Sequence, residues 1–265
     1  MRLENKVILI TASTRGIGLA CVKACVKEGA IVYMAARNLV AVEEIATELN
    51  KQGYQVKYVY NDATKPETFI SMVDEVIQKE GHIDVLVNNF GTSNPKKDLD
   101  FANTNIDDYL DIVTINLRSV FLASQTAAKY MSINGGGSII NISSIGGLTP
   151  DISQVAYGTS KAAINYLTKL IAVHEASNNI RCNAVLPGMT ATEAIENNLS
   201  EDFRALFLKH IPLKKIGLPE EIAAAVVYFA SDESSYTTGQ ILAVSGGFGL
   251  ATPIYGDLSN KSNRR

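Results

Sequence analysis

Tyr157 and Lys161 stand four residues apart in a stretch with helical apolar spacing, so their side chains share one face. A phenol with its ordinary pKa of about 10 is a poor base near neutrality. An ammonium beside it favours the phenolate, and further positive charge at the site would do so again. Such a pair can exchange a proton with the oxygen of an alcohol or a carbonyl. Ser144 precedes Tyr157 by thirteen residues, just past a strand pattern, where its hydroxyl can bond that oxygen as charge develops. Asn116, in the long helical stretch before that strand, is placed to hold a water linking Lys161 to solvent. A Tyr-x-x-x-Lys pair alone recurs by chance. It gains weight here because it opens a helix downstream of Ser144 and of a phosphate-binding loop.

That loop is Thr11-Ala12-Ser13-Thr14-Arg15-Gly16-Ile17-Gly18, between the first strand pattern and the first helix pattern. Close glycines at such a turn let the backbone N–H groups of Ser13 to Gly18 approach a pyrophosphate at the positive end of the helix. A glycine pair is weak evidence by itself, but its position before a second strand about thirty residues on reads as dinucleotide binding. The second strand runs into Ala35-Ala36-Arg37-Asn38. A site for NAD carries an acid there to bond the ribose 2′-hydroxyl. Here Ala36-Arg37 takes that place, and Arg15 brings a second guanidinium from the glycine loop. Two forked donors suit a 2′-phosphate, so the expected cofactor is NADP. Its oxidised nicotinamide would add positive charge beside Tyr157.

The elements that must position these residues alternate along the chain. Strand patterns occupy Lys6–Thr11, Ile31–Ala35, Gln55–Tyr60, Ile83–Val87, Gly137–Ile142, Ile180–Val185 and Gln240–Val244. Several are apolar at successive positions, as strands covered on both faces are. Helix patterns occupy Gly16–Glu28, Leu39–Lys51, Pro66–Glu80, Ile106–Ser132, Gln154–Ala176 and Pro219–Ser231. The expected fold is α/β: a single domain over 1–265, with a doubly wound (Rossmann-type) parallel seven-stranded sheet and helices on both faces. Thr64 with Pro66 and Glu67 reads as the start of the third helix, and Gly29 and Gly53 read as C-terminal caps. Residues 189–211 break the rhythm and read as a substrate-covering segment. Within them Ile195, Leu199, Phe203, Leu206 and Phe207 form an apolar set at helical spacing. Residues 250–265 read as a C-terminal tail.

Hydrophobic residues make up 46% of the 265 and charged residues 19%, enough for a sizeable core. A net charge of -3 leaves no electrostatic footprint for nucleic acid. No apolar run approaches the roughly 20 residues a bilayer demands, and no signal-peptide pattern precedes the first strand, so a cytoplasmic protein without a membrane partner is expected. Cys21, Cys25 and Cys182 lack metal-ligand spacing and read as buried thiols. His82, His174 and His210 are scattered, so no catalytic metal is expected.

With these motifs together, the chain resembles the short-chain dehydrogenase/reductase family over essentially its whole length. The resemblance rests on the loop at residues 11–18, Asn88-Asn89-Phe90-Gly91, Asn116, Ser144, Tyr157, Lys161 and Pro187-Gly188. It implies a catalytic set of Asn116, Ser144, Tyr157 and Lys161, with Ser144 and Tyr157 facing the substrate. It implies cofactor contacts at Ser13 to Gly18, Arg37, Asn38, Asn89, Phe90, Gly91, Tyr157, Lys161, Met189 and Thr192, and an adenine contact at Asp62-Ala63. It also implies a homotetramer that packs the fourth and fifth helices. Two departures stand out: Ala12 replaces the loop's first glycine, where only a slight narrowing of the turn is expected, and Phe90 puts a bulky ring beside the cofactor cleft. A narrower resemblance, carried by residues 150–157, 180–187 and 246–249, is to bacterial 7α-hydroxysteroid dehydrogenases. It implies oxidation of a bile acid's 7α-hydroxyl to a 7-oxo group, hence a hydrophobic steroid as substrate. A reductase of another secondary alcohol or of a 3-oxoacyl thioester would use the same residues. A non-catalytic cofactor sensor on this fold is a third reading, which the intact Ser144, Tyr157 and Lys161 disfavour.

Overall fold

Strands that are apolar at every position must be covered on both faces, and the sheet meets that demand. The structure is a computed structural model and describes residues 1–193, 200–252 and 254–259. Its seven strands are β1 (Val7–Thr11), β2 (Ile31–Ala36), β3 (Gln55–Tyr60), β4 (Val85–Asn88), β5 (Gly137–Ile142), β6 (Ile180–Pro187) and β7 (Ile241–Val244). They form one sheet in the order β3-β2-β1-β4-β5-β6-β7, and every pairing is parallel. All five residues of β1 and all four of β4 are buried.

The helices are α1 (Gly16–Lys27), α2 (Leu39–Lys51), α3 (Thr68–Glu80), α4 (Ile106–Ile133), α5 (Val155–His174), α6 (Glu201–His210), α7 (Pro219–Ala230) and the short α8 (Tyr255–Leu258). Helices α1, α2 and α7 close one apolar layer against the sheet, around Cys21, Val42 and Phe229. Helices α3, α4 and α5 close the other, around Phe69, Met131 and Ala172. The doubly wound expectation holds. Cys21, Cys25 and Cys182 are buried and unpaired, as expected. The strand order reverses between β1 and β4, so the crevice for a ligand opens beyond the carboxyl ends of these strands.

Element boundaries shift where side chains compete with the backbone ladder. The helix expected from Pro66 begins at Thr68 instead. The N–H and hydroxyl of Thr64 are both donated to Asp62 Oδ1, at 3.0 and 2.8 Å, so Thr64 makes a local turn rather than a helix cap. The fourth strand begins at Val85, and just before it the N–H of Val7 donates to the Asp84 carboxylate at 2.7 Å instead of to a backbone carbonyl of the ladder. Helix α5 begins one residue later than expected, because Gln154 sits in the left-handed region at φ 61°. Gly29 and Gly53 do follow their helices with φ of +91° and +89°. Within the 189–211 segment, α6 starts at a Ser200 cap that accepts the N–H of Phe203 at 3.2 Å. Ile195 and Leu199 lie outside the described residues, as do residues 253 and 260–265 of the C-terminal tail. Among the described residues no helix is long and apolar enough to cross a membrane.

Candidate active site

The glycine loop leaves β1 and enters α1 with very little free space. A Cβ on Gly18 would lie 2.4 Å from the carbonyl oxygen of Ala12 and 2.6 Å from Asn89 Nδ2. Asn89 holds the loop, donating its amide to the carbonyls of Thr11 and Ala12 at 3.1 and 3.0 Å. The Thr11 hydroxyl in turn accepts the N–H groups of Asn89 and Phe90, at 2.9 and 3.0 Å. Ala12, at φ +50°, occupies the left-handed region a glycine would fill without strain. The departure from the family pattern is therefore borne as backbone strain rather than as a narrowed turn.

A cleft of about 760 Å³ opens over this loop, with Thr14, Arg15, Arg37, Asp62 and Thr192 on its walls. Arg15 and Arg37 stand exposed on the same cleft, one after β1 and one after β2. Asn38 caps α2 by accepting the N–H of Ala41 at 3.2 Å, and its residue also borders the cleft. The Ser13 hydroxyl is buried in the loop without a hydrogen-bond partner among the described residues. Thr192 closes the far side, its methyl 3.3 Å from where a Cβ on Gly16 would stand. A tight loop at a helix N-terminus, a hydroxyl without a partner among the described residues and two exposed guanidinium forks fit the phosphates of a dinucleotide.

The residues expected to transfer a proton gather where β5 gives way to α5. Lys161 is buried, 3% exposed, and donates to the carbonyl of Ile142 at 3.0 Å. Its Nζ lies 5.5 Å from the centre of the Tyr157 ring. Burial lowers the Lys161 pKa to about 8. Burial also pushes the Tyr157 phenol above its ordinary value, and a hydrogen bond with Ser144 opposes that shift. The lysine charge therefore does not by itself bring the phenol to working pH; within the protein alone, desolvation wins. Ser144 opens a tight turn after β5 and accepts the N–H of Gly146 at 3.1 Å. Asn116, fully buried in α4, exchanges hydrogen bonds with the backbone of Thr92, both at 2.9 Å, and donates to Ser160 at 2.9 Å. Through Ser160, whose hydroxyl donates to the carbonyl of Tyr157 at 2.7 Å, its amide is tied to the backbone at Tyr157.

A second cavity, of about 650 Å³, opens onto Ser144 and Tyr157. Leu148, Met189, Phe207 and Phe248 contribute its apolar walls. The Phe207 and Phe248 rings stack at 4.6 Å. Of the apolar set expected to cover a ligand, Phe207 lines the cavity, whereas Phe203 and Leu206 are exposed.

A family model described as enoyl-(acyl carrier protein) reductase, of the short-chain dehydrogenase/reductase type, matches residues 11–249. The chain is 49% identical to a 7α-hydroxysteroid dehydrogenase of Clostridium sardiniense, over 97% of this chain and 98% of that one. The chain belongs to the short-chain dehydrogenase/reductase family. It is also 39% identical to a 3-oxoacyl-(acyl-carrier-protein) reductase of Thermotoga maritima, over 93% of this chain and 99% of that one. Among solved structures, a 7α-hydroxysteroid dehydrogenase complexed with NADH and 7-oxo glycochenodeoxycholic acid is similar with a TM-score of 0.88. It is 32% identical, and the match covers 93% of this chain and 95% of that one. Like its relatives, this short-chain dehydrogenase/reductase is an oxidoreductase.

The fold thus brings Ser144 into hydrogen-bond contact with Tyr157, sets Lys161 Nζ 5.5 Å from the centre of the Tyr157 ring, and places Arg15, Gly16, Arg37, Asn38, Asp62, Ala63, Asn89, Phe90, Gly91 and Thr192 around one cleft. Gly18 is packed beneath that cleft, and Ile17 turns toward the core. The Phe90 ring packs edge-on against Phe69 at 6.1 Å, so most of its bulk supports the α3 layer and does not fill the cleft. Asp62 spends its carboxylate on Thr64 while its residue lines the cleft. Residues that spacing did not single out include Gly147, where a Cβ would lie 2.7 Å from the backbone carbon of Lys161, and Asn165, which donates to the Gly147 carbonyl at 3.2 Å. Asn165 continues the Tyr157 and Lys161 face by another four residues, the one local signal that pointed to it.

The buried lysine has a consequence for stability. Its pKa falls from 10.5 to about 8 on folding, so between these values the unfolded chain holds more protons and stability rises with pH. Below about pH 8 the cost of the buried ammonium is felt in full, roughly 3 kcal/mol at most. Lys161→Met is expected to unfold at higher denaturant concentration than the wild type at pH 7, to lose the rise between pH 8 and 10.5, and to be inactive. Urea titrations at pH 7 and pH 9.5 check this, and a less stable variant at pH 7 would contradict it.

Proposed function

We propose that the protein is an NADP-dependent 7α-hydroxysteroid dehydrogenase, interconverting the 7α-hydroxyl and 7-oxo groups of bile acids. The observation that carries this reading is the apolar cavity opening directly onto Ser144 and Tyr157, within a chain 49% identical to an enzyme of that activity. Its volume of about 650 Å³ is in the range of pockets that take rigid, drug-sized ligands. In this reading Ser144 holds the C7 oxygen. Tyr157 takes the hydroxyl proton during oxidation and returns it to the carbonyl oxygen during reduction. Lys161 supplies positive charge behind the phenol, and Asn116 steadies the backbone on which Tyr157 sits. When bound, the dinucleotide accepts or donates the hydride at C7. Arg15 and Arg37 take its 2′-phosphate, which accounts for two exposed guanidinium groups on one cleft.

The chain works as one domain over 1–265, with the 189–211 segment covering the substrate through Met189 and Phe207. Exposed Ile106, Leu110 and Phe121 on α4, with Tyr166, Leu170 and Val173 on α5, support a homotetramer packed through those helices. Three buried reduced thiols suit a cytoplasmic setting.

Turnover of NADPH with 7-oxo bile acids, against acetoacetyl thioesters as the competing class, tests the substrate. Activity confined to the thioesters would replace the steroid reading with that of a 3-oxoacyl reductase. Tyr157→Phe is expected to abolish turnover and to change NADPH affinity less than twofold; substantial residual activity would remove Tyr157 from its role and reopen the sensor reading. Arg37→Ala is expected to weaken NADPH binding by tenfold or more and NADH binding by less than twofold, measured by cofactor fluorescence. Equal losses would contradict the 2′-phosphate assignment.

A further inference from the structure

The helix that carries Tyr157 has no cap of its own. Gln154, its capping residue, is left-handed and makes no side-chain bond to the helix, and the first turn contains no acid. The backbone N–H groups there are instead met by a segment nearly sixty residues upstream. Asp98 Oδ1 accepts the N–H of Ala156 at 2.8 Å, and Asp98 Oδ2 accepts the N–H of Tyr157 at 2.9 Å. The carbonyls of Asp98 and Leu99 accept the N–H groups of Gln154 and Val155, at 3.2 and 3.3 Å. Asp98 is 1% exposed, and both of its carboxylate oxygens are directed at the start of α5.

We propose that Asp98 is a positioning residue for Tyr157. The proposal rests on the assignment of Tyr157 as the proton-transferring group. Asp98 holds the N–H of that residue. On its other side, Ser160 donates to the carbonyl of Tyr157 at 2.7 Å and accepts from Asn116 at 2.9 Å. The backbone of Tyr157 is thus clamped at both ends, by β4–α4 connecting chain in front and by α4 behind. The residues after Asp98, namely Leu99, Asp100 and Phe101, form part of the substrate cavity wall. One short segment therefore sets both the place of the substrate and the place of the phenol. A cap on any other turn of α5 would stabilise the helix without fixing the reacting atom.

Asp98→Asn keeps the volume and one acceptor but turns an amide N–H₂ against the second backbone N–H, and Asp98→Ala removes both bonds. In a 7-oxo bile acid assay, kcat per NADPH-binding site is expected to fall about 10-fold in the Asn variant and about 100-fold in the Ala variant. NADPH affinity should stay within twofold. Hydrogen exchange of a peptide covering residues 154–161 should accelerate, while the rest of α5 exchanges as in the wild type. A merely structural role would reduce the number of NADPH-binding sites and leave kcat per site unchanged, so kcat per site within twofold of wild type in both variants overturns the proposal. If Asp98→Ala fails to fold, the isosteric Asn variant carries the test. If the wild type turns over no 7-oxo bile acid, the substrate reading has failed; exchange at residues 154–161 then decides, and unchanged exchange in the Asn variant sinks the cap.

Discussion

An ammonium group set into the interior beneath a phenol governs how this molecule is built. Lys161 can be tolerated there only because its surroundings are cut to fit: it bonds to the free carbonyl at the end of β5, and Gly91 faces it with no side chain. A Cβ at Gly91 would lie 2.8 Å from Lys161 Nζ. On the other side, Gly147 lets the Ser144 turn lie directly on the backbone of α5. The same dryness acts on both titrating groups in opposite senses, lowering the lysine and raising the tyrosine. Each therefore resists charge, and ionising the phenol calls for compensating charge beside it. That property suits the proton exchange proposed for Tyr157.

Holding such a pair in place demands a rigid base, and the parallel sheet supplies one. Strands running in the same direction present their carboxyl ends along one edge, so the loops after β1, β2, β4, β5 and β6 all meet above it. The phosphate loop, Arg37, the Asn89 to Gly91 turn, Ser144 and the Met189 to Thr192 strap all arise from those ends. A buried polar line reinforces the edge. Asn88 on β4 donates to Asn141 on β5 at 2.8 Å, and Asn141 donates to Thr168 on α5 at 2.9 Å. Fully bonded groups of this kind in a dry interior tie β4, β5 and the catalytic helix into one unit. The same edge also carries strain at Ala12, where a residue with a Cβ occupies a conformation suited to glycine.

Much of this was legible along the chain because it depends on local spacing. Unbroken apolar runs marked strands covered on both faces, and four-residue spacing put Tyr157 and Lys161 on one helix face. The glycine loop announced itself by following the first strand, and the missing acid after the second strand pointed to Arg37. Errors arose where short-range competition decided the outcome. Thr64 was drawn into a turn with Asp62, and Gln154 into a left-handed bend, each moving a helix start.

The sequence by itself determined the element order, the parallel sheet and the shared helix face of Tyr157 and Lys161, because periodicity and i, i+4 spacing are properties of neighbouring residues. Tertiary structure alone decided what those residues experience. Whether Lys161 is charged at pH 7 depends on how much water its neighbours exclude. The direction of the Phe90 ring depends on Phe69, the side chain of Asn116 bonds Thr92 and Ser160, and the cap on α5 comes from Asp98. These contacts join positions twenty to sixty residues apart, and no local pattern encodes them. They exist only once the chain has closed on itself.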